Sequence, residues 1–446
     1  MIYLNFLYFL IITYYGYTFL RSDERVVKSP FDKSHFLVLT GPEMFWVLAF
    51  STGLLAFSLD VGLDLMAIRL FVIMALCVWG LALVGQKPVW SLALRLYVVY
   101  LIWLIIGCFY GPSNYGLRVV LKYLYPLIIC LFASAVTNNV ATALKATLAA
   151  RWVALISIVF AFVPFLWPLT PGVFWYVTAR AIHYISIMTF SIAMFFFTDD
   201  RRKNAIYAVL FLLPCFIWVL RTSIMGSGVA IMAFAIIRWR LRSLPVIAAV
   251  LIGGVVAVFT IPSLKDKMFK SDTKNATIEN FQEGGLDMED VETHARESMW
   301  TFLEGNLYKG HEIVGSGTGS VQQYMYTHRV FGGLRVPHSD FVQIKCDNGL
   351  VGLWIYCSIA LLIFLHCFKI YWSTDDNRLR LFAITAGASM LGVFVTLYSD
   401  NTVNYSMATL SMPYGFYGMT LGLRRAMLQE ECCGIASENI VVDDEA

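Results

Sequence analysis

About thirteen apolar stretches, each near the twenty residues that cross a bilayer core, set the terms on which this chain can fold. They fall at 2–20, 40–59, 66–85, 89–109, 117–136, 150–169, 182–198, 204–220, 223–238, 244–261, 348–368, 380–399 and 406–423. Hydrophobic residues make up 59% of the 446 and charged residues only 14%, where a soluble domain carries about a quarter charged. The fold class that follows is an all-α integral membrane protein with about 13 transmembrane helices (12–14) and one large, partly helical loop. The first twenty residues lack a basic flank and a small-residue cleavage site, so they are expected to be a retained span. A net charge of +3 gives no reason to expect nucleic acid as a partner.

The basic residues orient these spans. Arg201-Arg202-Lys203, Arg238 with Arg240 and Arg242, Lys369 with Arg378 and Arg380, and Arg424-Arg425 fall on one side, with Arg21, Arg25, Lys28 and Lys33. Positive charge marks the cytoplasmic face, so the long polar stretch 263–337 lies outside. The expected organisation is an N-terminal bundle over 1–262, a large loop with a re-entrant segment over 263–347, C-terminal spans over 348–424 and an acidic, disordered cytoplasmic tail over 425–446. Within the loop, Glu289 to Lys309 reads as an amphipathic helix, with Val291, Ala295, Met299, Phe302 and Leu307 roughly on one face and Lys309-Gly310 as its stop. Gly315, Gly317 and Gly319 read as a flexible turn.

Where the loop rejoins the apolar body, Pro337-His338-Ser339-Asp340-Phe341 leads through Asn348 to Gly349. Ser339 can cap a short helix, and Gly349 is suited to a left-handed stop. His338 then stands at a helix N-terminus, where the macrodipole disfavours imidazolium, and a neutral imidazole can act as a general base. A histidine that merely caps at the interface is the plainer alternative.

Several cations sit on the outer side, against the topological bias: Arg221 before Gly226 and Gly228, Arg180 three residues from His183, Arg296 one turn from Trp300, and Arg118 four residues from Lys122. Converging guanidinium groups suit a phosphate or diphosphate. Snorkelling, local ion pairs and anionic lipid contacts are the bland readings. Asp287-Met288-Glu289 has the spacing of an acidic metal site, but it lies among Glu283 and Asp290 and reads as a solvated face. The nine cysteines show no disulfide framework and no CxxC metal pattern; neither a metal nor a cofactor is expected.

His338-Ser339 followed by Gly349 and Gly352-Leu353 resembles the motif of the O-antigen ligase and polymerase superfamily. Arg296 with Trp300 leading to Gly315-Ser316-Gly317 resembles that family's loop segment, and Leu220-Arg221-Thr222-Ser223 its span end. The resemblance implies metal-independent, inverting glycosyl transfer at the periplasmic face of the bacterial inner membrane. The donor it implies is a glycan on undecaprenyl pyrophosphate, and the acceptor another glycan or lipid A-core, amid membrane lipids and with a chain-length regulator as a further partner. Carried over, His338 activates the acceptor hydroxyl while Arg221 and Arg296 hold the diphosphate. Arg180, His183, Arg118, Lys122, Ser339, Gly315 and Gly317 are the candidates for positioning substrate. The expected activity is polymerisation of lipid-linked repeat units into O-antigen or exopolysaccharide. Ligation to lipid A-core is the alternative, and a lipid-linked oligosaccharide flippase the alternative of another class.

Overall fold

A computed structural model describes residues 26–28, 36–38, 41–52, 65–162, 177–217, 220–268, 296–328, 336–405 and 407–442. Ten helices account for the bundle: α1 (Gly41–Thr52), α2 (Leu65–Leu83), α3 (Leu92–Tyr110), α4 (Ser113–Val136), α5 (Val140–Phe162), α6 (Val177–Phe197), α7 (Arg201–Ile217), α8 (Arg221–Trp239), α9 (Leu244–Thr260) and the short α10 (Pro262–Met268). Two helices follow from the loop, α11 (Arg296–Leu303) and α12 (Ser320–His328), and then α13 (Asp340–Trp372), α14 (Asn377–Thr396), α15 (Thr402–Tyr405) and α16 (Met407–Val442). One departure from an all-helical chain is a pair of antiparallel three-residue strands, Val26–Lys28 and Phe36–Val38, at a Val-Val step suited to extended backbone.

By length and composition, six of the described helices can cross a membrane: Leu92–Tyr110, Asn114–Val136, Val140–Ile158, Arg221–Thr260, Asp340–Trp372 and Asn377–Thr396. That is fewer than the thirteen stretches expected. Span 2–20 lies outside the described residues, α1 and α7 are short, and 223–238 with 244–261 count as one run of 40 residues. That run is a hairpin. Arg240, at φ 52°, breaks it, and Gly228 on one arm faces Val250 on the other.

The core is aromatic as well as aliphatic. Tyr97, Tyr100, Tyr123, Tyr356 and Tyr414 from α3, α4, α13 and α16 are buried and interlock, with ring centroids 4.9 to 5.4 Å apart at the closest pairs. Tyr356 continues the column to Phe394, which packs on Phe341 at 5.3 Å. Edge-to-face pairs of this kind add ~0.5–1.5 kcal/mol each beyond burial. Their effect here is to place a stiff column directly under the segment that follows His338.

Small residues let two further helices approach closely. A Cβ on Gly226 of α8 would lie 2.7 Å from the Gly392 carbonyl oxygen of α14, and one on Gly392 would lie 2.6 Å from Ala230. Backbones can approach this closely only where side chains are small. The contact runs α8 and α14 side by side, so the start of α8 meets the residues that follow α14.

The C-terminal tail departs from expectation. Helix α16 continues to Val442 rather than ending near Arg425, and Ala426 to Glu431, the first residues past Arg425, are good helix formers.

Candidate functional site

The segment Val336–Gly349 is held from three sides. Ser339 is the N-cap of α13 and accepts from the Val342 amide at 3.2 Å. The Asp340 amide donates to the carbonyl oxygens of Leu397 and Asp400, at 2.9 and 3.2 Å. The Asp340 carboxylate accepts in turn from the Val403 amide at 2.8 Å, which ties the start of α13 to the α14–α15 turn. On the other flank, Trp300 of α11 donates its indole N–H to the Pro337 carbonyl at 2.7 Å. His338 lies between these anchors, half-buried, at a positive φ of 53°. That is uncommon for a non-glycine residue, and the hydrogen bonds on either side hold it there.

The expected glycine stop is a break within one helix. Gly349 has φ 66° and ψ −171° inside α13, and the chain resumes as a helix on its far side. The loop fixes this break: the Leu350 amide donates to the Glu312 carbonyl at 2.9 Å, and Trp103 of α3 donates to the Asn348 carbonyl at 3.1 Å. Gly315, Gly317 and Gly319, expected as a flexible turn, are buried and all at positive φ. A Cβ on Gly315 would strike the backbone of Asp347 and Asn348, and one on Gly317 would lie 2.5 Å from Gly111. Asp347 completes the clasp by accepting from the amides of Gly319 and Val321 at 3.0 and 2.8 Å. The glycine turn is therefore a splint for the re-entrant segment.

Around His338 the structure gathers charge. Arg296 at the head of α11 donates to the Ser399 carbonyl at 2.6 Å, and its guanidinium makes no other hydrogen bond among the described residues. Ser399 shares a 3.0 Å hydroxyl hydrogen bond with Thr222, so the first turn of α8, which carries Arg221, meets the same turn as Arg296. Asp400 follows Ser399, and its charge and that of Arg296 both act on His338. The imidazole is held below its ordinary value, first by burial and then by Arg296, with Asp400 opposing. The expected neutrality is therefore present, but its causes are burial and a neighbouring cation. Burial raises the Asp400 carboxyl, against the Asn401 amide at 2.8 Å, Arg296 and His338. A neutral imidazole between an arginine and a carboxylate can accept a proton and be stabilised once it holds one.

The other candidates divide. Lys122 of α4 is close enough for its charge to act on Asp340. Arg118 is exposed, with its guanidinium 5.9 Å from the Tyr115 ring centroid, and is not drawn into the cluster. The Ser339 hydroxyl is committed to its cap. Arg180 and His183 lie on the first turns of α6, and their side chains lie outside the described residues, as do Asp287, Glu289 and the start of the expected loop helix. Its described part, Arg296–Leu303, is extended by a π turn to Tyr308 and ends at Lys309-Gly310, with Met299 and Leu303 buried as an amphipathic helix requires. Sequence reasoning missed Asp400. It left one trace, a carboxylate in a short polar turn between apolar helices on the His338 side. Among the described residues no group of three His, Cys, Asp or Glu side chains could hold a metal ion.

Residues 206–357 match the family model described as O-antigen ligase. The matched region runs from α7 to just past the Gly349 break and contains Arg221, Arg296, Gly315, Gly317 and His338. Over this region the chain is similar to the O-antigen ligase family, in line with the resemblance its motifs carry. The likeness is to proteins described as O-antigen ligases, and the six described helices apolar enough to cross a membrane accord with a multi-pass membrane protein. No curated protein matches the chain.

Proposed function

We propose that this chain is a metal-independent, inverting glycosyltransferase that polymerises undecaprenyl-pyrophosphate-linked repeat units at the periplasmic face of the inner membrane. The observation that carries the reading is that the charges of Arg296 and Asp400 both act on His338, while Ser399, next to Asp400, accepts from Arg296 and shares a hydrogen bond with the first turn of α8. His338 accepts the proton of the acceptor hydroxyl as its oxygen attacks the anomeric carbon of the donor. The bond from that carbon to the diphosphate oxygen breaks, and the configuration inverts. Arg296 and Arg221 take up the charge that develops on the departing diphosphate, where fixed cations in a site of low dielectric act most strongly. Asp400 stabilises the imidazolium formed by proton transfer, and the proton then passes to solvent. Arg180 with His183, and Lys122, are the candidates for orienting the donor or acceptor. The thirteen-span topology, with loop 263–337 outside, belongs to this reading.

The matched family's description favours a second reading, ligation of a finished chain to lipid A-core. A flippase gains nothing from a histidine held between an arginine and a carboxylate. The test is a reconstituted assay, in chelator, with lipid-linked repeat units and lipid A-core offered together. A ladder of elongated lipid-linked products supports polymerisation, glycosylated lipid A-core supports ligation, and the absence of both refutes glycosyl transfer.

A further inference from the structure

Uncompensated cations and an apolar wall meet at the end of the bundle far from His338. Helix α13 resumes beyond the Gly349 break, so His366 and Lys369 in its last turns lie about 25–30 Å past that break at 1.5 Å per residue. The start of α3, with Trp90 and Leu92, and Arg424 and Arg425 of α16 close around them to form a groove of about 1190 Å³. Trp90, Leu92 and Leu365 are exposed there, and Leu361, one turn before Leu365, continues the apolar strip along the outer surface of α13.

The cations are held in place without acidic partners. Arg425 donates to the Lys87 carbonyl at 2.6 Å and to Asn138 at 2.8 Å, while its Nε is buried with no hydrogen-bond partner. Arg424 donates to His366 Nε2 at 3.3 Å. That leaves the ring proton on Nδ1, which donates to the Tyr417 hydroxyl at 2.6 Å. Among the described residues none lining the groove is acidic, and neither Lys369, Arg424 nor Arg425 forms an ion pair. Membrane orientation accounts for cations on this side. It does not require them to converge on an apolar groove.

We propose that this groove binds one anionic phospholipid from the leaflet opposite the His338 end. Its phosphate rests on Lys369 and Arg424, and its acyl chains lie along Leu92, Leu365 and Leu361. A soluble anion would use the cations but leave the exposed leucines uncovered, whereas a phospholipid satisfies both. Basic pockets between membrane helices are the known chemistry of headgroup recognition. The proposal is independent of glycosyl transfer.

The test is native mass spectrometry of the full chain extracted from membranes of mixed phosphatidylglycerol and phosphatidylcholine, stripped stepwise with detergent. The wild type is expected to retain one phosphatidylglycerol after phosphatidylcholine is lost. Lys369→Gln, at an exposed position, should weaken that retention by about fivefold, and adding Arg424→Gln should weaken it further. If the double variant does not fold, the single one decides. Equal retention of the two lipids, unchanged retention in Lys369→Gln, or displacement of the lipid by millimolar inorganic phosphate would overturn the proposal.

Discussion

His338 and His366 stand at opposite ends of α13, each beside an arginine, and their surroundings differ in kind. Both ring nitrogens of His366 are taken, one by Tyr417 and one by Arg424, and the ring sits within a regular helix. His338 lies before the helix begins, at a positive φ, within reach of the charges of an arginine and a carboxylate supplied by distant segments. The first ring is a strut within a polar network. The second is placed in a strained backbone position by hydrogen bonds to its neighbours, an arrangement that local stability alone does not call for. A histidine next to an arginine is thus weak information by itself; what the rest of the fold brings to the ring separates the two.

The sharpest way to break this comparison is to remove each ring. His338→Ala should cut transfer by about 10²–10⁴-fold, the usual worth of a general base, with membrane expression retained. His366→Ala should leave turnover within a few-fold while lowering the melting temperature, as measured by product formation and thermal unfolding of the same preparations. Comparable losses of turnover in both would erase the distinction. Next in size is the arginine chemistry. Arg296→Lys and Arg221→Lys should lose nearly as much as the alanine variants, on the order of 10²-fold, because a lysine offers a point charge and no planar fork. Steady-state rates at saturating donor check this, and an active lysine variant would reduce the site to simple charge.

A smaller effect reads the carboxylate. Transfer should fall as pH drops through the lowered value of His338, because protonation removes the base. Asp400 raises that value, so Asp400→Asn should move the acid limb of the pH–rate profile further down while costing about tenfold in rate. An upward move of the limb would contradict the assigned sign. The smallest effect is structural. Gly349→Ala places a Cβ against the Ile313 backbone at a positive φ and should destabilise the chain by ~1–3 kcal/mol, visible as a lower midpoint in thermal unfolding.

What the sequence disclosed follows from how local each feature is. The Ser339 cap, the Gly349 break and the Lys309-Gly310 stop depend on neighbours a few residues away, and each stands where its residue type indicates. Asp400 could not be read, because it reaches His338 only when the end of α14 folds against the start of α13. The neutrality of His338 was expected from a helix dipole, yet burial and Arg296 produce it, and both are tertiary. The glycines at 315, 317 and 319 misled for the same reason: positive φ looks like freedom in a sequence but becomes a tight fit when another backbone lies against it. Gly226 worked in the opposite direction. It stood out beside Arg221, and only the α8–α14 contact shows that its smallness brings that arginine's helix to the turn carrying Ser399 and Asp400.

The central claim, that the His338 imidazole is the base, is tested most directly by chemical rescue. His338→Gly, reconstituted with lipid-linked donor and acceptor, should bind donor and make no product. Added imidazole should then restore a saturable part of the turnover, following the neutral form of the free base as pH is varied. Product from the glycine variant above a few per cent of wild type, or no response to imidazole while donor remains bound, would contradict the account.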